Sequence, residues 1–351
     1  MRFFSRSDEK IEKRLAELQS RVDHLSAQIA TALETFAARP PRGIELLKFL
    51  KASPDRILAR YFEDAPEDLF NGLYGGTESL REKPARLGLK SGLCRQVHFS
   101  TDEFRFWARA MALPPRMHRK DWEWFYIAQA LYERDMLQEG RKGLVFAVGQ
   151  EPIPALFARF GCEILATDQA PEKAVESGWA GGNMYSTTVD TLFDARICSR
   201  EQFDASVGFA HADMNDIPVE FSNRFDFCWS SCAFEHLGSL EHGMRFVERS
   251  IDTLVPGGVA VHTTEFNLSS DDATIESPGL SIYRRQDIER LVSRLTSAGH
   301  FVEEVDLSIG TGFAETVVDL PPYKVSPHLR LRVQDYDCTS IGLIIVKDAL
   351  K

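Results

Sequence analysis

Near the N-terminus, apolar residues fall at Ile11, Leu15, Leu18, Val22, Leu25, Ile29, Ala32 and Phe36, stepping alternately by four and by three. A period of about 3.5 residues is a heptad seam, with Leu15, Val22, Ile29 and Phe36 at a and the other four at d. Glu12, Lys13, Arg14, Glu17 and Arg21 put both charge signs on its flanks, and Pro40-Pro41 ends it. The pattern predicts a coiled-coil helix over residues 8–38 that self-associates, while the same stripe would also suit a helix lying on its own domain. Residues 42–140 read as a mainly helical region, with short helices at 44–51 and 54–62, a turn-rich loop at 71–76, and longer helices at 102–113 and 120–138. The last carries Trp122, Trp124, Phe125, Ile127, Leu131 and Met136 and is expected to pack against the edge of a sheet. Arg95, His98, Arg116, His118 and Arg119 lie in this region and could meet a substrate, but each reads first as solvated surface.

From residue 141 the pattern changes to short apolar runs broken by glycine. Leu144–Val148 predicts a buried parallel strand ending at Gly149, Pro154–Gly161 a helix, and Ile164–Thr167 a second strand with Asp168 at its carboxyl end. A strand, a glycine turn, a helix, a strand and an acid nineteen residues after the glycine make a nucleoside-binding crevice, in which the acid accepts hydrogen bonds from a ribose diol. Dinucleotide turns bring a pyrophosphate onto the helix with further glycines. Here Glu151-Pro152 follows instead, and a carboxylate there would repel phosphate but suit an ammonium.

Three later pieces continue the order. Asp213 and Met214 follow a short strand over Ser206–Phe209 and suit an adenine amino group and ring face. Phe225–Gly238 is a fourth strand, containing Ser230, that runs into a polar turn; Leu254–Glu265 is a helix end, a Pro-Gly-Gly turn and a fifth strand. Residues 143–265 together resemble the class I S-adenosylmethionine-dependent methyltransferases, with Leu254-Val-Pro-Gly-Gly258 as the most recognisable element. Two departures bear on the methionine contacts: Ala147 stands where such enzymes usually carry an acid, and the later glycines of the first turn are missing. The resemblance implies an α/β fold, a doubly wound, mostly parallel seven-stranded Rossmann-like sheet over residues 141–351, with S-adenosylmethionine as cofactor. Val148, Gly149, Glu151, Asp168, Gln169, Asp213, Met214 and Ser230 are its expected contacts.

Composition narrows the partners. A net charge of -11 argues against a nucleic-acid substrate, because no basic stripe is available to neutralise phosphates. The 351 residues contain no apolar run of membrane-spanning length and no signal-peptide core, so a cytoplasmic location is expected. Cys94, Cys162, Cys198, Cys228, Cys232 and Cys338 are scattered and fit reduced thiols better than a disulfide framework or a zinc site.

A sulfonium cofactor carries its own electrophile, so the protein must align an acceptor and, for a hydroxyl, take its proton. His236, which follows the fourth strand, is the first candidate base, with Glu235 orienting its ring; His262 and Glu265 on the fifth are the second. A divalent metal on Glu235, His262 and Glu265 enters only for a vicinal diol, and no metal is expected otherwise. Downstream, a helix from Tyr283 to Ala298, a sixth strand at 301–307 and a last strand at 339–346 are predicted. Tyr283, Arg284, Asp319 and Tyr323 are expected to border the acceptor pocket. The C-terminal part is similar to methyltransferases that accompany glycosyltransferases in bacterial surface-polysaccharide synthesis, which implies O-methylation of a sugar or glycan. A small-metabolite or lipid-precursor methyltransferase, a nicotinamide enzyme, and a non-catalytic scaffold that has lost the cofactor remain the alternatives.

Overall fold

The computed structural model describes residues 83–350, apart from Pro115 and residues 177–184 and 324–325. The predicted coiled coil at 8–38 and the elements expected between 42 and 82 lie outside the described residues. Its helices are α1 (Gln96–Phe99), α2 (Asp102–Ala110), α3 (Arg119–Glu133), α4 (Ile153–Arg159), α5 (Pro171–Glu176), α6 (Arg200–Ser206), α7 (Leu240–Ser250) and α8 (Arg285–Ser297). The strands are β1 (Ser91–Leu93), β2 (Lys142–Phe146), β3 (Glu163–Asp168), β4 (Val207–His211), β5 (Phe225–Ser231), β6 (Leu254–Asn267), the small pair β7 (Glu276–Ser277) and β8 (Leu280–Ser281), β9 (Phe301–Val302), β10 (Val305–Asp306), β11 (Leu331–Val333) and β12 (Tyr336–Val346).

The main sheet has the order β10-β1-β12-β6-β5-β2-β3-β4, with β9 and β11 also on β12. β4, β3, β2, β5 and β6 are all parallel, and β12 returns antiparallel beside β6. Winding runs from β2 outward to β4 on one side and from β5 to β6 on the other. The order therefore reverses between β2 and β5, which opens a crevice at their carboxyl ends.

Alternation along the strands feeds two cores, one on each face. Val145, Phe227, Trp229 and Val261 face the layer holding Trp107, Trp122, Phe125 and Phe157. Leu144, Phe146, Cys228 and Ala260 face Phe246, Val247, Leu291 and Leu295 of α7 and α8. The helix α3 is buried nearly all round and lies across β5, β6 and β12.

Several expectations change. The described residues form a ten-stranded sheet rather than seven strands. One addition, β1, comes from the region read as helical: Gly92 lets its backbone close on β10, where a Cβ would sit 2.7 Å from the Asp306 carbonyl. The sixth strand is split into β9 and β10, with Glu303 N donating to Ile344 O at the break. Leu254 is no helix end but the first residue of β6, paired with Phe225, and the Pro-Gly-Gly turn is an irregularity within the strand, with Gly257 at φ 78°.

The close seat of α3 on β12 depends on Gly342. A Cβ there would lie 2.1 Å from the ring of Tyr126, whose hydroxyl donates to Lys90 O at 2.9 Å. Gly342→Ala is expected to destabilise the fold by about 1–3 kcal/mol, as overpacking does. The check is a lowered urea midpoint at unchanged slope.

Candidate functional site

At the carboxyl end of β2 the chain turns sharply, with Ala147 at φ 50° and Gly149 at φ 53°. Val148 N donates to Thr167 O at 2.9 Å, which ties the turn to β3. Asp168 closes it: its carboxylate accepts Gly149 N at 3.1 Å, Gln169 N at 2.9 Å and Ser186 N at 3.3 Å. Burial pushes this carboxyl above its ordinary range and the three amides pull the other way. Gln169 O accepts the Tyr185 hydroxyl at 3.1 Å. Ser186, which sequence reading missed, also donates its hydroxyl to Gly149 O. Asp213 follows β4 and pairs with Lys173, while Met214 is packed into the α7–α8 core. Val148, Gly149, Asp168, Gln169 and Asp213 are thus gathered at the ends of three adjacent strands.

Across the strand reversal stands Glu151, which accepts Trp229 Nε1 at 2.6 Å. Burial pushes its carboxyl up to about 8, so at neutral pH it is mostly protonated. The carboxylate charge expected at this turn is therefore mostly absent at neutral pH. Ser230 is turned the other way. Its Oγ lies 2.9 Å from His262 Nδ1, and His262 Nε2 lies 2.9 Å from Ser250 Oγ. Ser250 donates its own proton to Val247 O, so Nε2 carries the hydrogen and Nδ1 accepts. His262 has no exposure, and burial lowers it to about 3. The sequence placed Ser230 and His262 at the mouth; both are core residues on the α7 face, and no ring nitrogen remains for a metal.

The first turn of α3 brings a charged cluster onto the sheet end. Glu123 receives Lys120 Nζ at 3.2 Å, Arg119 Nη1 at 3.2 Å, Ser231 Oγ at 3.1 Å and Cys232 Sγ at 3.0 Å, and the Ser340 hydroxyl as well. Burial alone would raise its carboxyl, but Lys120 and Arg119 hold it near 2. Arg119 also forks onto Glu265 of β6. Ordinary surface suited Arg119 from sequence, yet it is 8 % exposed. Lys120, Glu123 and Trp229 went unmarked, although charges three and four apart on an otherwise apolar helix were the available signal.

Glu235 is buried, accepts Thr264 Oγ1 at 2.9 Å through one oxygen, and is pushed upward by that burial. Arg119 Nε and Glu235 Oε1 are buried with no hydrogen-bond partner among the described residues. His236 is half-buried. Its Nδ1 lies 2.7 Å from Gly279 O and must donate there, while Nε2 is 3.9 Å from Glu235 Oε1. The latter is too long for a hydrogen bond. Gly279, not Glu235, orients the ring.

Two expected acceptor contacts are also misplaced. Tyr283 has no exposure and its hydroxyl is 3.4 Å from both Phe234 O and Leu240 O. Arg284 caps α8 through Asp287, with Nε donating at 2.7 Å. Asp319 and Tyr323 instead meet around His328, another residue not singled out. Asp319 Oδ2 is 2.7 Å from His328 Nδ1, and the rings of Tyr323 and His118 lie 5.4 and 4.6 Å from the imidazole.

No family model and no curated protein matches the chain. Among solved structures, it is similar to a Burkholderia thailandensis 1,6-didemethyltoxoflavin-N1-methyltransferase at 13 % identity, with 62 % of this chain and 76 % of that one covered and a TM-score of 0.35. The methyltransferase domain of bacterial CtHen1 gives 11 %, 65 % and 100 % with 0.39. The [4+2]-cyclase SpnF gives 17 %, 64 % and 83 % with 0.38. Scores of this size say nothing of activity; the fold stands on strand order and register.

His262 stays neutral in the fold far below its ordinary value, so the unfolded chain takes up a proton that the folded one refuses. Its contribution is complete above about pH 6.5 and is lost as pH falls towards 3, by about 1.4 kcal/mol per pH unit. His262→Gln should flatten the acid limb of stability against pH by about that slope, measured by urea unfolding at a series of pH values.

Proposed function

We propose that this chain is an S-adenosylmethionine-dependent methyltransferase that binds the nucleoside across the β2–β5 reversal and methylates a hydroxyl. The observation that carries the reading is Asp168, a buried carboxylate at the end of β3 that holds the Gly149 turn by its amide. In a sheet wound outward from β2 and β5, this is where a ribose diol would be received. Asp168 and Gln169 would hold the ribose, Asp213 the adenine amino group, and Val148, Gly149 and Glu151 the methionine end, where an ammonium would draw the proton from Glu151. The residues fit such a ligand. The cofactor would supply a sulfonium-activated methyl group.

For the acceptor we infer a sugar or glycan hydroxyl, with His236 as the proton acceptor. The Nδ1–H bond to Gly279 O fixes the tautomer with Nε2 as the acceptor nitrogen, 3.9 Å from Glu235 Oε1. Nε2 would take the proton of the acceptor hydroxyl as the methyl carbon left the sulfur, which becomes a neutral thioether, for that oxygen. Glu265 belongs to this reading as the anion that fixes Arg119 beside the mouth. Self-association through residues 8–38 completes it, on the strength of the heptad seam. No helix among the described residues is long and apolar enough to cross a membrane.

Calorimetric titration with S-adenosylmethionine, S-adenosylhomocysteine and NAD tests the reading. Binding of both sulfur nucleosides without NAD supports it; binding of neither gives way to the scaffold alternative. Asp168→Ala should weaken the nucleoside by about ten- to a hundredfold, or roughly 1.5–3 kcal/mol. Unchanged affinity would remove the ribose assignment. His236→Ala should keep that affinity and lower turnover by about a hundredfold; unchanged turnover on an accepted sugar would exclude His236.

A further inference from the structure

Two carboxyls close the turn after β2, and their partners differ in kind. Asp168 receives three backbone amides, from Gly149, Gln169 and Ser186. Glu151 receives a single indole N–H, from Trp229 Nε1 to Oε1 at 2.6 Å. Its Oε2 has no hydrogen-bond partner among the described residues. The bond to Trp229 runs from the turn after β2 to β5, so the carboxyl sits where the sheet divides. Glu151 N donates to Val148 O at 3.4 Å, which folds the residue back onto the turn.

The charges that face this carboxyl are Lys120 and Glu123 of α3 and Asp168 of β3. Lys120 is taken up by Glu123 at 3.2 Å, and the two acids oppose a further anion. β5 brings only the indole, and α4, which follows Glu151, has no charge in its first turn. A buried carboxyl without a cation of its own is neutral, and burial pushes this one up to about 8. The indole bond to Oε1 leaves Oε2 to carry the acid proton. An ammonium brought to the turn reverses the balance, because an opposite charge within ~4–6 Å favours the ionised form.

We propose that Glu151 is a specificity-determining residue that becomes the counter-ion of the ammonium on the nucleoside's amino-acid end and gives up its own proton as it does so. The Oε2–H bond breaks, its electron pair stays on the oxygen, and the proton passes to solvent. Binding is then a proton-releasing step that selects nucleosides carrying an amino acid over uncharged ones. The proposal rests on the nucleoside reading of the β2–β5 crevice and supplies that site's pH control. The free protein holds, below about 8, a proton that the bound form has lost. Affinity therefore rises with pH and levels off near 8, where the ligand's own α-amino group also begins to titrate.

Calorimetry of the full chain with S-adenosylhomocysteine and methylthioadenosine, in buffers of differing ionisation enthalpy, counts the protons directly. S-adenosylhomocysteine should release about one proton and bind about five- to tenfold tighter at about pH 7 than at about pH 6. Methylthioadenosine, which lacks the amino-acid end, should release none and bind equally at both. Glu151→Gln keeps an acceptor for Trp229 but cannot ionise, so it should abolish the release and leave S-adenosylhomocysteine affinity flat with pH. In indole N–H spectra of the ligand-free wild type, the Trp229 signal should move with a midpoint near 8 and stay fixed in the variant. Binding of S-adenosylhomocysteine without proton release, equal release by methylthioadenosine, release that survives in the variant, or a fixed Trp229 signal in the wild type overturns the proposal and leaves the nucleoside reading standing. If neither nucleoside binds at either pH, the nucleoside reading falls and the proposal with it.

Discussion

Glu123 is a carboxylate with no exposure, and the carboxyl edge of the sheet is assembled on it. Lys120 and Arg119 reach it from its own helix, Ser231 from the end of β5, Cys232 from the residue after it, and Ser340 from β12. Arg119 extends the connection to Glu265 on β6. Desolvating these four charges costs more than an apolar contact would, so the cluster is poor value as a source of stability. Its physical consequence is geometric. Once buried, each charge must meet its partner at hydrogen-bonding distance, and removing one leaves the rest uncompensated. The register of α3 over three strands is thereby set, and the bare apolar packing of Trp122, Phe125 and Tyr126 would not set it so narrowly.

From that anchor the mouth acquires its two sides. On the β2–β3 side, backbone amides do the work: the Gly149, Gln169 and Ser186 N–H groups converge on Asp168. On the β6–β12 side, the seat of α3 fixes the 117–119 segment, on which the backbone of His328 is pinned. The strand reversal lies between them and is bridged by the Trp229–Glu151 hydrogen bond. Burial then decides which groups are charged. The cations keep Glu123 ionised near 2, whereas Glu151, with desolvation dominant, rises to about 8. Two carboxylic acids packed at the same end of one sheet therefore differ in charge at neutral pH, and a cationic ligand arriving beside Glu151 would reverse its state.

Histidine shows how little a side chain's identity settles. His236 follows β5 and His262 lies within β6, and both look like bases in the sequence. His262 points into the α7 core between two serine hydroxyls, where burial keeps it neutral. His236 remains half-buried in a short turn. His328 lies in a stretch with no regular pattern, and only the fold brings Asp319 and His118 to it.

The sequence alone determined the winding of the central sheet, because short apolar runs punctuated by glycine force buried parallel strands, and a strand–turn–helix–strand spacing forces Asp168 next to Gly149. That half of the mouth is local in the chain, so its residues were legible before folding. The tertiary structure decided everything that depends on the parity of a strand or on contacts between distant segments. Side chains alternate across a strand, and a one-residue difference sent Ser230 and His262 to the core while Ser231 met Glu123. Ion pairing across 146 residues turned Arg119 from an ordinary surface charge into a buried strut. The extra strands β1 and β11 and the pairing of Asp319 with His328 likewise arise from segments whose own patterns are too short to announce them. Periodicity records which residues share a face, and only packing fixes which face is turned to the ligand.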